Sequence, residues 1–280
     1  MPFVEVEDGR LYYKVSGKGH PLVLIHGAWA SHEWWRWQVP ELSKHYQVLS
    51  LDVRGHGKSS PLKRVYSVDG FTSDLEIFLQ KVGIDEVALV GWSMGGLISI
   101  QYCLNHPSKV KALVLIATRA HQNPHLKFKI ILQYLQAHLN LLMDFTSPRK
   151  YDRATQRFPG ENSPRIEREV RNMLSPATPK DVFDWVMADL TNNPRENYFE
   201  VAKSIWNWET SEALREINVP TLIMVGENDR LTPPRFSSLL HNGLSDSRLI
   251  IVEKAGHCLA MERPELVNIE ILRFLRNLSY

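Results

Sequence analysis

A serine, a histidine and a carboxylate can together break an acyl bond, and this chain carries each in an informative local setting. Ser93 lies in Gly91-Trp92-Ser93-Met94-Gly95, with a glycine two positions away on both sides. A serine hydroxyl is a weak nucleophile until a base within hydrogen-bond reach takes its proton, and a third group must orient that base. His257 follows Gly256, whose conformational freedom lets the backbone turn sharply and swing an imidazole inward. The third group is less determined. Asp229 stands in Gly226-Glu227-Asn228-Asp229, but Glu227 is its neighbour and Asp52 follows an earlier apolar run. Such a set would run acyl transfer: the histidine removes the serine proton, the serine attacks a carbonyl, and water later releases the acyl group.

These side chains need a scaffold that brings distant segments to one edge. Residues 87–90 form a short apolar run that predicts a buried strand, and 96–104 has helical character up to Asn105-His106-Pro107. A serine squeezed between strand and helix is forced into a strained turn, and its oxygen is left exposed at the sheet edge. Asp229 and His257 likewise follow predicted strands, at 219–225 and 249–252. Upstream, 4–6 and 11–15 joined by Asp8-Gly9 predict a hairpin. Residues 21–25 and 48–51 predict buried strands, and 35–45 a helix. Ser67 or Asp69 would cap a helix through Gly83, with Phe71, Leu75, Phe78, Leu79 and Val82 at helical spacing. Residues 111–117 predict a further strand, and 264–278 a closing helix. Strands alternating with helices imply a mostly parallel sheet covered on both faces.

The texture changes at Thr118. No buried-strand run is legible between 119 and 211, where amphipathic stretches fall at 125–143, 164–174 and 179–190. Because strand signals of the same style resume at 219, a core of residues 1–118 and 212–280 is expected, interrupted by a helical cap insertion over 119–211. Aromatics are frequent in that block, among them Phe183, Trp185, Trp206 and Trp208. They could serve a homodimer, a mobile lid or the block's own core.

Taken in order, the motifs resemble the α/β-hydrolase family over nearly the whole chain. The matching pieces are His26-Gly27, Asp52-x-Arg54-Gly55-His56-Gly57-x-Ser59, Gly91-x-Ser93-x-Gly95, Gly226-x-x-Asp229 and Gly256-His257. The resemblance implies an α/β fold with an eight-stranded, mostly parallel sheet, helices on both faces, and a helical cap inserted after the sixth strand. It implies Ser93 as nucleophile, His257 as general base and then acid, and Asp229 as the orienting carboxylate. The backbone N–H groups of Ala28 and Met94 would form the oxyanion hole. His26 would brace the loop carrying Ala28, while Arg54, His56 and Ser59 would fix a turn. Trp29 and Trp92 would line the acyl pocket or pack in the core. Cys258 reads as a small packed residue rather than a second nucleophile.

Composition narrows the classes. The 280 residues are 44% hydrophobic and 23% charged, as expected for a globular chain with a substantial core. The formal net charge is +2 and no basic stripe is interleaved with aromatics, so nucleic-acid binding has no support. Cys103 and Cys258 make neither a disulfide framework nor a metal-ligand spacing, and no metal or cofactor is expected. The first residues lack a basic n-region and an apolar h-region, and no run approaches the roughly 18 apolar residues of a membrane span. A cytoplasmic protein with a small-molecule substrate is expected. Serine at 93 disfavours the dehalogenases and epoxide hydrolases that share the resemblance but place an aspartate there. The absence of a three-glycine stretch near Ala28 argues against the bulky-ester branch. Hydrolysis of carboxylic esters with small to medium acyl chains, through an acyl-enzyme on Ser93, is therefore the expected activity. Lactone hydrolysis and carbon–carbon bond hydrolysis would use the same three side chains. A weakly catalytic receptor or binding protein could keep them nearly idle.

Overall fold

The computed structural model describes residues 2–61, 66–120, 164–192, 198–206, 208–278 and 280. Eight strands form one sheet: β1 (Phe3–Val6), β2 (Gly9–Ser16), β3 (Pro21–Ile25), β4 (Gln47–Leu51), β5 (Val87–Trp92), β6 (Val110–Ile116), β7 (Thr221–Gly226) and β8 (Ser247–Val252). Their spatial order is β1-β2-β4-β3-β5-β6-β7-β8. β2 runs antiparallel to β1 and β4, and every pairing from β4 to β8 is parallel. This is the expected mostly parallel sheet. The chain leaves β3 toward β4 on one side and returns to β5 on the other, so the ends of β3 and β5 flank a topological switch point. Ligands of open α/β sheets bind in the crevice there, outside the carboxyl ends of the strands.

The central strands β3 and β5 carry no polar side chain because both faces are covered. Val23 and Ile25 of β3 pack into one core with Phe71, Leu75, Leu97 and Ile100, from helices α2 (Val68–Lys81) and α3 (Met94–Asn105). Leu22 and Leu24 point to the other core, with Leu42 of the short α1 (Val39–Leu42) and with Val267, Ile271 and Leu275 of the last helix (Pro264–Asn277). Each such side chain taken fully from water contributes about 1.5–3 kcal/mol. Ser67, not Asp69, caps α2: its side chain accepts the Gly70 N–H at 3.2 Å.

Two local expectations are corrected. The helix expected over 35–45 is instead a 3-10 turn at His32–Trp35 followed by α1. Pro40 has no N–H to give the Arg36 carbonyl and its ring crowds that carbonyl, so one helix cannot run through both. In the opening hairpin Val6 pairs with Gly9, so the turn residues are Glu7 and Asp8, and Gly9 already belongs to β2.

Between β6 and β7 the described residues form helices α4 (Pro164–Met173), α5 (Lys180–Asn192) and α6 (Tyr198–Trp206), then a 3-10 turn at Ser211–Glu216. The amphipathic stretch at 125–143 lies outside the described residues. Val170, Leu174, Val182, Val186 and Leu190 join the apolar cluster that holds Trp34, Trp92 and Cys258, so α4 and α5 are packed onto the carboxyl edge of the sheet. Helices α7 (Pro234–Gly243), α8 (Leu259–Glu262) and α9 (Pro264–Asn277) complete the order. Among the described residues no helix is long and apolar enough to cross a membrane.

Candidate active site

Ser93 joins β5 to α3 with φ 53° and ψ −114°, on the left-handed side that residues with a Cβ avoid. Such a conformation costs about 1–3 kcal/mol and persists only where the surroundings enforce it. Here the Ser93 N–H donates to the Ile116 carbonyl at 2.9 Å, and the Ser93 carbonyl accepts from Gly96 N–H at 2.9 Å and Thr118 Oγ1 at 2.7 Å. The flanking glycines are steric necessities. A Cβ on Gly91 would overlap the Gly95 carbonyl, and one on Gly95 would overlap the Ile25 carbonyl at the end of β3. Met94 is the first residue of α3, so its N–H has no acceptor within the helix and sits at the positive end of the helix dipole.

His257 reaches this serine from the loop after β8. Its Nε2 lies 3.1 Å from Ser93 Oγ and its Nδ1 2.9 Å from Asp229 Oδ2. With the proton on Nδ1, the ring donates to Asp229 and accepts the serine proton at Nε2. Asp229 comes from the loop after β7, and its Oδ1 accepts the N–H groups of Leu231 (2.8 Å) and Thr232 (2.9 Å). Thr232 Oγ1 stands 2.8 Å from Asp229 Oδ2, 2.9 Å from the Ala117 carbonyl and 3.2 Å from His257 Nδ1. Its one proton can serve only one of those oxygens. Both His257 and Asp229 are only 3% exposed. Gly226 permits their loops to meet, since a Cβ there would overlap the carbonyls of Ala255 and Gly256.

The competing carboxylates are engaged elsewhere. Asp52 is buried and accepts from His32 N–H (2.6 Å), His32 Nδ1 (2.8 Å) and Lys58 N–H (2.9 Å). Burial alone would raise its pKa, but these bonds and the nearby His26 hold it below the ordinary carboxylate range. Glu227 is exposed and accepts the Lys254 N–H at 3.2 Å. Asp229 is thus the carboxylate brought to His257.

The loop after β3 holds His26, Gly27, Ala28 and Trp29. His26 donates through Nδ1 to the Gly27 carbonyl at 2.7 Å and accepts the Val53 N–H at Nε2, 3.0 Å away. Both ring nitrogens are occupied in the neutral form, and burial lowers the His26 pKa. The ring therefore braces this loop against the one after β4. Ala28 N–H has no main-chain acceptor among the described residues. Trp29 is partly buried at φ 62°. Trp92 is 4% exposed, stacks on Trp34 at 4.8 Å, and donates from Nε1 to the His257 carbonyl at 2.8 Å. It belongs to the apolar cluster on that face of the sheet, and its ring lies 5.5 Å from that of His257. Arg54 makes a buried ion pair with Asp74, and Ser59 Oγ donates to the Asp52 carbonyl at 2.6 Å, which fixes the turn after β4. His56 donates from its ring to the Arg54 carbonyl at 3.0 Å, and burial takes its pKa down to about 3. Burial first, then Glu262 and Asp229, pushes the Cys258 thiol well above its usual pKa, leaving it a poor nucleophile.

Thr232, Thr118 and Trp34 carry parts of this arrangement that sequence reasoning missed. Only Thr232, three residues after Asp229 and before Pro233-Pro234, had a local signal. Among the described residues no group of three His, Cys, Asp or Glu side chains is placed to hold a metal ion.

A sequence family described as "alpha/beta hydrolase fold" matches residues 20–264. The chain is 27% identical to a 2-hydroxy-6-oxo-2,4-heptadienoate hydrolase of Pseudomonas putida, over 88% of this chain and 86% of that protein. Among solved structures, a thermophilic esterase from Thermogutta terrifontis superposes with a TM-score of 0.82 at 22% identity, covering 97% of this chain and 95% of the other. The enol-lactonase from Burkholderia xenovorans gives a TM-score of 0.78 at 23% identity, covering 98% and 100%. At these identities the structural likeness speaks to the fold.

Proposed function

Because the chain belongs to the α/β-hydrolase fold family, we propose that it is a serine hydrolase cleaving carboxylic esters of small to medium acyl chain. The observation that carries this reading is the contact chain Ser93 Oγ, His257 Nε2 at 3.1 Å, His257 Nδ1 and Asp229 Oδ2 at 2.9 Å, on a serine held at positive φ. His257 takes the Ser93 proton as Oγ attacks the ester carbonyl, and Asp229 stabilises the imidazolium that forms. The N–H groups of Met94 and Ala28 receive the oxyanion; one such donor is worth about 2.7–4 kcal/mol of transition-state stabilisation. The imidazolium then protonates the leaving alcohol. A water activated by His257 attacks the acyl-enzyme, and collapse returns Ser93 and releases the acid. The insertion over 119–211 acts as a cap on the core of 1–118 and 212–280, and Trp29 borders the acyl site from the loop after β3.

Hydrolysis of p-nitrophenyl acetate, butyrate and octanoate tests the reading. Wild type should exceed Ser93→Ala by about 10⁴-fold or more in kcat/KM, and a fluorophosphonate should label wild type alone. Equal rates would remove the esterase reading and favour a binding protein. A second reading, hydrolysis of a carbon–carbon bond in an oxo-dienoate, draws support from the likeness to the Pseudomonas putida hydrolase. It predicts labelling by the fluorophosphonate together with poor turnover of all three esters.

A further inference from the structure

One buried carboxylate fastens the loop carrying His257 to the helical insertion. Glu262, the last residue of α8, is 2% exposed. Its Oε1 accepts the Gly256 N–H at 2.9 Å, and its Oε2 accepts the Ser175 N–H at 2.8 Å and the Thr178 hydroxyl at 2.6 Å. Gly256 and Cys258 flank His257, whereas Ser175 and Thr178 lie in the turn between α4 and α5. Further bonds follow the same seam. The His257 N–H donates to the Met173 carbonyl at 2.6 Å, and Ser175 Oγ donates to Asn228 Oδ1, beside Asp229, at 2.9 Å. Gly256 allows the approach, since a Cβ there would overlap the Met173 carbonyl.

An ionised carboxylate is the one side-chain group that offers two oxygens and no proton to these three donors. Building on the proposed roles of Ser93, His257 and Asp229, we infer that Glu262 is a positioning residue that locks His257 to the α4–α5 turn, so that the insertion and the base are set as one unit. In protonated Glu262 the new hydroxyl would turn its proton to Thr178 Oγ, reversing that bond, and the charge that strengthens the Ser175 and Gly256 N–H bonds would be lost. Burial pushes the Glu262 carboxyl above its ordinary pKa, while the bonds from Thr178, Ser175 and Gly256 pull it back. On the loop side the Cys258 thiol feels the Glu262 charge. Arg263, next in the chain, donates to the Glu262 main-chain carbonyl at 3.3 Å. The turn at 175–178 contributes no titratable side chain. Loss of the lock therefore belongs to the acid side of the profile, beside the protonation of His257.

The test is the rate of Ser93 labelling by a fluorophosphonate between pH 5 and 9, in the full chain, for wild type, Glu262→Gln and Thr178→Val. The amide of Glu262→Gln turns an N–H donor toward the existing donors. Its rate should fall at least tenfold at neutral pH, and its acid limb should show one ionisation where wild type shows two. Thr178→Val, which removes only the contact from the insertion, should move in the same direction by a smaller factor. Wild-type rates and limbs in both variants would overturn the inference, and so would slower labelling with an unchanged pH profile, which marks lost packing alone. If Glu262→Gln does not fold, Thr178→Val decides: without the bond that pulls the Glu262 carboxyl down, its acid limb should move to higher pH, and an unmoved limb overturns the inference. A wild type that is not labelled at all overturns the role of Ser93, and this inference with it.

Discussion

At the scale of single residues, the proposed chemistry depends on which proton His257 holds. Protonated imidazole cannot accept the Ser93 proton, so kcat/KM should fall on the acid side of the profile. A rate that stays flat from pH 8 to pH 5 counts against His257 as base. Asp229→Asn would let the ring take the wrong tautomer, and kcat should drop by about 10⁴-fold with KM little changed. Thr232→Val is subtler. It leaves Asp229 its two N–H donors but removes the hydroxyl beside Oδ2. A hydrogen bond to a charged group contributes about 1.5–3 kcal/mol, so a loss of roughly 10- to 100-fold in kcat is expected. Equal kcat in Thr232→Val and wild type would assign the hydroxyl to the Ala117 carbonyl instead. Ser93 was legible because glycines two positions away on both sides flank a strand-to-helix turn, and His257 because it follows a glycine just after a predicted strand. Thr232 offered only its place three residues after Asp229, and Glu262 offered nothing, because Ser175 and Thr178 are brought to it only by the folded loops.

Elements meet at the elbow through backbone contact rather than through side chains. β5 and α3 approach closely enough that Gly91 and Gly95 leave no room for a Cβ, and Gly95 also lies against the end of β3. Gly95→Ala must push α3 away from the Ile25 carbonyl or bend the loop that carries Ala28. Overpacking of this kind costs about 1–3 kcal/mol, and the same shift would misplace the Met94 and Ala28 amides. A lower urea midpoint together with slower Ser93 labelling is the expected outcome. A stable variant that labels at the wild-type rate would mean that β3 and α3 can part without cost to the site. The strands themselves were legible because burial on both faces makes them continuously apolar. The segment 35–45 misled because its apolar spacing suits one helix, whereas the missing N–H of Pro40 divides it into a 3-10 turn and α1.

Over the whole molecule, alternation of strand and helix signals made the sheet readable, while the pose of α4 and α5 on its carboxyl edge, and of α6 beside them in sequence, was not. Amphipathic periodicity says which face of a helix is buried and nothing about the surface it is buried against. The answer lies in a few polar ties. Glu262 and the Met173 carbonyl hold the turn after α4, and Arg119 holds the end of α6. The Arg119 guanidinium, 4% exposed, donates to the Ile205 carbonyl at 2.8 Å and to the Trp208 carbonyl at 3.4 Å. A cation at a helix C-terminus also meets the negative end of the dipole. Burial lowers its pKa to about 10, with Glu209 opposing, so it remains charged throughout assays between pH 5 and 8. Arg119→Met keeps most of the volume but strands two carbonyls, which should cost about 1–3 kcal/mol of stability by denaturant titration. Because Arg119 lies outside the contact chain from Ser93 to Asp229, the kinetic effect should fall on KM for p-nitrophenyl octanoate rather than on kcat. A loss in kcat with KM unchanged would mean that the end of α6 supports the acid–base step. Neither change would mean that the other ties hold the insertion without it.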